Sequence, residues 1–379
     1  MQSLVRGTQR LEWTYDGFLM TQEKATGIAP ATSQWTYDSD FRVSSHSISG
    51  NAVAFSYEAD SLPTQAGLAT AAYSPTTGQL TSVTVGNVVT TRIYNGHGEL
   101  STLTTTVGGA PVYSEGLSYD NAGRITVIED IVQGTAVQWT YGYDSLGRLT
   151  SASKNGGAPT TWTYDGSGNR LNENGVVATY DAQDRLLSSG ATTYTWDALG
   201  SRQSMSGASG TTRYVHDGLG ALLSVTIPDA TVVSYQYDGR QRRVARRVNG
   251  VVTNRWVYDG QHRVVAQVDA AGVLVERYVY LSQSNSPDYL VRGANTFALV
   301  KNHLGSVRLV IDGAGAVVHR LDYDSWGNTQ LDTAPGFQPF GFAGGLADAT
   351  TKWVHFGYRD FDPLSALWTG RDPIRFQLG

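Results

Sequence analysis

A tyrosine or tryptophan followed by aspartate, two variable residues, a glycine and a basic or polar residue recurs along most of the chain. A repeat of this kind implies a stack of like units. Clear copies are Tyr119-Asp120-Asn121-Ala122-Gly123-Arg124-Ile125, Tyr143-Asp144-Ser145-Leu146-Gly147-Arg148-Leu149, Tyr164-Asp165-Gly166-Ser167-Gly168-Asn169-Arg170 and Tyr180-Asp181-Ala182-Gln183-Asp184-Arg185-Leu186. Looser copies begin at Tyr15, Tyr37, Tyr94, Trp196, Tyr237 and Tyr258. Tyr94, Tyr119, Tyr143, Tyr164 and Tyr180 are separated by 25, 24, 21 and 16 residues, so the period is near 20 and elastic.

Each copy reads as a β-hairpin. Segments between the turns, such as Thr161-Trp162-Thr163-Tyr164 and Arg255-Trp256-Val257-Tyr258, are rich in Thr, Val, Trp and Tyr, which suit a pleated, half-buried surface. The aspartate can accept hydrogen bonds from turn amides, and the glycine three residues later supplies a positive φ. No window carries the i, i+3, i+4, i+7 apolar spacing of a helix, so the chain is expected to be almost all β. Charged residues are only 16% of the 379, too few for long surface helices, while 11% aromatic content is too high for a disordered chain.

Composition also excludes classes of chemistry. With 0 cysteines there is no disulfide scaffold, thiolate zinc site or cysteine nucleophile. A net charge of -5 speaks against a general binder of nucleic acid or anionic membranes. No apolar run approaches the length of a membrane span, and Met1-Gln2-Ser3-Leu4-Val5-Arg6-Gly7 lacks the apolar stretch of a signal peptide. The 7 histidines have no metal-ligand spacing, and neither a Walker A nor a G-x-S-x-G sequence occurs, so neither metal nor cofactor is expected. Arg240, Arg242, Arg243, Arg246 and Arg247 are expected to form a cross-strand ladder with tyrosines and carboxylates rather than an anion site.

These repeats resemble the tyrosine-aspartate (YD) repeats of the Rhs family, whose relatives include the C component of insecticidal toxin complexes and the repeat region of teneurins. The resemblance implies a spiralling sheet of hairpins that forms a hollow shell or part of one. The physics agrees, because hairpins of one elastic period bury their faces by stacking laterally. Roughly 30 strands at about 4.8 Å spacing give a ribbon of about 145 Å, or one turn and slightly more. Such a ribbon has unpaired edges, so an N-terminal shell portion or partner protein is expected to complete it.

From about Asn295 the texture changes. Asn302-His303-Leu304-Gly305-Ser306-Val307-Arg308, Asp322-Tyr323-Asp324-Ser325-Trp326-Gly327-Asn328, Pro339-Phe340-Gly341-Phe342-Ala343-Gly344, Phe356-Gly357-Tyr358-Arg359-Asp360-Phe361-Asp362-Pro363 and Gly370-Arg371-Asp372-Pro373-Ile374 follow in order. Together they are similar to the Rhs-associated core domain, a plug before a variable C-terminal toxin. The implied division is a repeat shell over 1–294 and a core domain over 295–379, with His303 packed or hydrogen-bonded within the plug. The resemblance further implies a single-turnover aspartic autoprotease with Arg359, Asp360 and Asp372 as its residues and Asp362 as a nearby alternative. Two adjacent carboxylates cannot both ionise cheaply, so one can activate water while the other, protonated, polarises the scissile carbonyl. Arg359 would hold a carboxylate ionised or stabilise the oxyanion. Read as residues alone, Asp362-Pro363 and Asp372-Pro373 are equally turn openers. The chain departs from the family at Leu364-Ser365-Ala366-Leu367-Trp368-Thr369, where Thr/Leu-Gly-Arg-Phe is frequent, and at Arg375-Phe376, where Gly-Leu is.

The function implied is a β-shell that encapsulates and releases a C-terminal toxin effector of a bacterial polymorphic toxin, secreted or at the cell surface, with the cargo outside this chain. The alternative is a teneurin-like adhesion or carbohydrate-binding module without catalysis, whose partner would be a glycan.

Overall fold

The computed structural model describes residues 2–282 and 284–370. From Gln2 to Asp332 the chain is one antiparallel meander of 33 strands, each paired with its neighbours in sequence. Among the described residues the only helical element is the single 3-10 turn Phe342–Gly344, and no helix is long and apolar enough to cross a membrane. The almost all-β expectation holds.

The repeat motif builds one turn many times. The Asp120 amide donates to the Arg124 carbonyl at 2.9 Å and the Gly123 amide to the Asp120 carbonyl at 3.0 Å. Asp120 Oδ1 accepts from the Ala122 and Arg124 amides at 2.9 and 3.0 Å. Gly123 sits at φ 74, where a Cβ is costly. Where the glycine is replaced, Phe41, Asp184 and Gln241 still adopt φ of 62, 59 and 65. The backbone demand therefore belongs to the turn.

Just before each tyrosine the strand pairing slips by one residue, as between Ser118 and Tyr119, Gly142 and Tyr143, and Thr163 and Tyr164. Such a bulge bends its strand and adds twist. The tyrosine then reaches back to the preceding hairpin. Tyr143 Oη donates to the Ile125 carbonyl at 2.7 Å, Tyr164 to Leu149 at 2.6 Å and Tyr258 to Arg243 at 2.8 Å. Arginine supplies a link in the other direction: Arg124 Nε donates to Asp120 Oδ2 at 2.7 Å and Nη1 to the Asp144 carbonyl at 2.9 Å, with the guanidinium 5.0 Å from the Tyr143 ring centre.

Contacts remote in sequence close the meander into a spiral. Arg6 pairs with Asp217, Arg242 with Glu23, Arg277 with His46, Tyr289 with Ala66 and His303 with Glu115, across 211, 219, 231, 223 and 188 residues. One turn thus takes about 20 strands, and the sheet makes roughly one and a half turns. This is tighter than the strand count alone suggested, because repeated bulges add coil that a flat ribbon lacks. His303 also departs from expectation: its Nδ1 and amide both engage Glu115 of the first turn at 2.8 Å, rather than groups within a plug.

Two core clusters join the two turns, and a third packs Tyr214, Leu222, Tyr235 and Tyr237 against Trp353 of the C-terminal segment. Tight ends of first-turn hairpins, including Ala66, Ala69, Val85 and Val88, pack with Val279, Leu281, Leu309 and Ile311 of the second turn. A second cluster joins Ala31 and Ile48 to Trp256, Val265 and Leu299. Glycine at the tip permits this approach: at Gly67, φ 56, a Cβ would collide with the Tyr289 hydroxyl.

Removing one hydroxyl of the lattice should be measurable. Tyr258→Phe should cost about 1 kcal/mol in urea unfolding, because the buried Arg243 carbonyl loses its donor. Gly123→Ala should cost about 1 kcal/mol through its positive φ.

Candidate active site

After Asp332 the chain leaves the meander and forms a second, four-stranded sheet from Leu346–Ala347, Val354–Phe356, Arg359–Asp362 and Leu367–Trp368. Val354–Phe356 and Arg359–Asp362 make a tight hairpin in which His355 lies opposite Asp360. Its first central residue, Gly357, has φ 58, the geometry a two-residue hairpin turn requires.

This small sheet packs on the repeat strands through paired charges. Asp360 is 4% exposed, and its Oδ2 accepts from Arg243 Nη2 at 2.7 Å. Arg243 also donates to Tyr237 Oη at 2.8 Å and lies 3.7 Å from the Tyr235 ring centre. His355 Nδ1 stands 3.3 Å from Asp360 Oδ1 without a well-aligned hydrogen bond. Burial alone would raise the Asp360 carboxyl, but the Arg243 charge, with His355, outweighs it and holds the group well below its ordinary value. Burial, then Arg243, lowers His355, so the imidazole is neutral near pH 7. The pair is therefore carboxylate and guanidinium, with a neutral ring beside them.

Asp362 is held separately. Its Oδ2 accepts from Arg202 Nη1 at 2.5 Å and Ser365 Oγ at 2.7 Å, while Oδ1 accepts the Leu364 amide at 3.1 Å. It is thus both a turn opener before Pro363 and one half of a buried ion pair. Arg202 is fully buried beside the rings of Tyr194, Trp196 and Trp353. Arg359 lies 4.1 Å from the Trp368 ring centre. Thr369 donates from its amide to the Asp360 carbonyl at 2.9 Å. Asp372 lies outside the described residues.

Arg243 and Arg202 were not among the site residues expected, although the sequence carries a signal for them. In most copies the residue five after the aspartate is aliphatic, as with Ile125, Leu149 and Leu186. In three copies it is arginine: Arg170, Arg202 and Arg243. All three reach the C-terminal segment, Arg170 through the Ser365 carbonyl at 3.0 Å. The rest of the basic cluster finds carboxylates as expected, but on the other turn and the C-terminal segment rather than in a ladder across neighbouring strands. Arg242 pairs with Asp238 and Glu23, and Arg246 with Asp348, which also accepts from Tyr235 Oη at 2.6 Å. Among the described residues no group of three or more His, Asp or Glu could hold a metal ion.

A family model described as Teneurin YD-shell matches residues 4–377. Human Teneurin-4 is 25% identical over 303 residues, covering 76% of this chain and 11% of the relative. Mouse Teneurin-1 is 28% identical over 302 residues, covering 74% and 10%. The tRNA3(Ser)-specific nuclease WapA of Bacillus spizizenii is 26% identical over 245 residues, covering 61% and 10%. The chain thus spans about a tenth of the length of these relatives. Among solved structures, the Photorhabdus luminescens Tc holotoxin pore superposes with a TM-score of 0.75 at 17% identity, covering 98% of this chain and 21% of that one. The TcdB2-TccC3-TEV crystal structure gives 0.65 at 17% identity, covering 100% and 22%. At these identities the structural likeness establishes the fold.

The charged pair makes stability depend on acid. Asp360 ionises more readily folded than unfolded, so its contribution is present above about pH 4 and is lost as pH falls further. Asp348 and Asp288 shift in the same direction. Urea unfolding at pH 7, 5 and 3 should show this loss. Asp360→Asn should cost about 3–5 kcal/mol at pH 7, by stranding Arg243, and then lose less than wild type on acidification. Equal acid sensitivity in both proteins would overturn the pairing.

Proposed function

Since the chain belongs to the teneurin YD-shell family, we propose that it is a shell enclosing the C-terminal effector of a secreted bacterial polymorphic toxin, released by aspartyl self-cleavage. The observation that carries this reading is the Asp360 carboxylate: buried, kept ionised by Arg243, and set in a small C-terminal sheet docked on the repeats. A carboxylate that stays ionised has an oxygen able to accept a proton, and although the Arg243 pair makes it a weak base, a single-turnover cut needs only slow chemistry. Residues 295–379 act as the core domain of a 1–294 shell, and the cargo continues beyond Gly379. An N-terminal shell portion or a partner protein covers the sheet's free edges.

In this mechanism Asp360 takes a proton from water as its oxygen attacks the scissile carbonyl, and Asp372 donates a proton to the carbonyl oxygen. As the tetrahedral species collapses and the C–N bond breaks, Asp360 passes the proton it took to the leaving amine, and a hydroxyl of the tetrahedral carbon returns a proton to Asp372 as the new carboxyl forms. Thr369, anchored to Asp360, is three residues from Asp372, a chain length of about 10 Å at most. Arg359 orients a carboxylate or stabilises the oxyanion. Asp362, committed to Arg202 and Ser365, serves the turn.

A chain extended past Gly379 should cut itself near residues 376–379 without added protease, read by denaturing gel and intact mass. Asp360→Asn and Asp372→Asn should each abolish the cut, and Arg359→Ala should slow it by about 10-fold or more. Asp362→Asn should leave cleavage in the fraction that folds. Cleavage persisting in both Asp360→Asn and Asp372→Asn would remove the pair from the mechanism. An extended wild-type chain that stays whole would favour a passive shell or adhesion module.

A further inference from the structure

The cut proposed above leaves one buried group of its own site unused. His355 is 4% exposed and lies opposite Asp360 in the hairpin of Val354–Phe356 and Arg359–Asp362. Arg243 Nη2 engages Asp360 Oδ2 at 2.7 Å, which leaves Oδ1 as the oxygen free to take a proton. Oδ1 is the oxygen that His355 faces: Nδ1 stands 3.3 Å from it, buried and with no aligned hydrogen-bond partner. The rest of the ring is occupied. Tyr237 meets it edge-on, with 6.5 Å between ring centres, and the imidazole donates to the Gly357 backbone. That bond uses the single N–H of a neutral ring, so Nδ1 presents a lone pair to the carboxylate. Two lone pairs facing each other across 3.3 Å form a place for one proton.

Asp360 alone is a poor proton acceptor, because the Arg243 charge opposes a proton on its carboxyl. A proton on Oδ1 that points at Nδ1 is shared by two atoms, and the two groups then bind it as one unit. We propose that His355 is a positioning residue of the self-cleavage: through Oδ1 it shares the proton that Asp360 takes from water, and it gives that proton back for the leaving amine. The inference rests on the cleavage reading above. Over one cut the pair neither gains nor loses a proton, since water supplies it and the amine removes it. Besides Asp360, the titratable and charged groups around the ring are Arg243 and Tyr237 on the repeat strands, with His262 against the Gly357 turn. Burial keeps Tyr237 un-ionised. Burial and Arg243 oppose a charge on the ring, while Asp360 and the Gly357 backbone favour it.

The test uses the chain extended past Gly379 and follows the rate of cutting from about pH 8 down to about pH 4, with circular dichroism checking the fold at each step. In wild type the rate should fall on acidification between the ordinary imidazole value of 6.5 and the ordinary carboxyl value of 3.8, as the pair fills with a proton from solvent. His355→Gln should cut about 10-fold more slowly, and its rate should hold to lower pH, because Asp360 with Arg243 alone stays ionised below 3.8. Slower cutting with an unmoved acid limb would mean a merely structural ring and overturn the inference. So would a His355→Gln chain that matches wild type in rate and profile, and in both cases the cleavage itself would stand. An extended wild-type chain that stays whole would remove the cleavage and this inference together. Should His355→Gln fail to fold, the wild-type profile decides alone: a limb between 3.8 and 6.5 supports the shared proton, and a rate flat down to 3.8 removes it.

Discussion

A phenol hydroxyl bonded to the carbonyl of the hairpin before it is the contact on which this sheet depends. It recurs at Tyr57, Tyr94, Tyr119, Tyr143, Tyr164, Tyr237 and Tyr258, and at Trp196 the indole N–H takes its place. Each such bond is worth only about 1 kcal/mol. Repetition makes it architectural. It fixes where each tyrosine sits on its neighbour, the bulge beside it sets the bend, and the Asp–Arg pair of one turn reaches forward to the next. Neither link needs a particular strand length, so the lattice tolerates an elastic period.

A bend repeated at every hairpin makes the sheet meet itself, and that meeting creates the larger part of the core. A single layer of hairpins has no hydrophobic interior, and strands here alternate buried and exposed residues only weakly through much of 160–200. Full burial appears where the second turn lies against the first, as at Val307, Leu309, Val310 and Ile311, all 0% exposed. These strands read as continuous apolar runs because both faces are covered. The same proximity brings in the charges. Glu23, Glu115 and Asp130 each find an arginine or histidine on the other turn, because a charge buried at such a joint must be compensated.

The C-terminal segment exploits one position of the repeat. Five residues after the aspartate, a side chain normally fills space between hairpins. Substituting arginine at 170, 202 and 243 converts three packing positions into donors aimed at the small sheet. Arg243 both holds Asp360 ionised and offers its carbonyl to Tyr258. The lattice and the carboxylate thus share a residue, and the repeats position the candidate chemistry as directly as they position one another.

The hairpins, their turn geometry and the all-β class were legible in the sequence because each depends on residues within about six positions of one another: Asp120 on Gly123 and Arg124, for example. The resemblance of the last 85 residues to a core domain singled out Arg359, Asp360 and Asp372 for the same reason, since a motif is local. What holds Asp360 was not legible. Arg243 lies 117 residues away, and its departure from the aliphatic pattern gains meaning only when the spiral's curvature brings strand Arg243–Val248 under the hairpin that carries Asp360. Local spacing dictates what each hairpin is, while the accumulated bend of about 20 hairpin strands decides which distant residues meet, and that sum cannot be read from any one repeat.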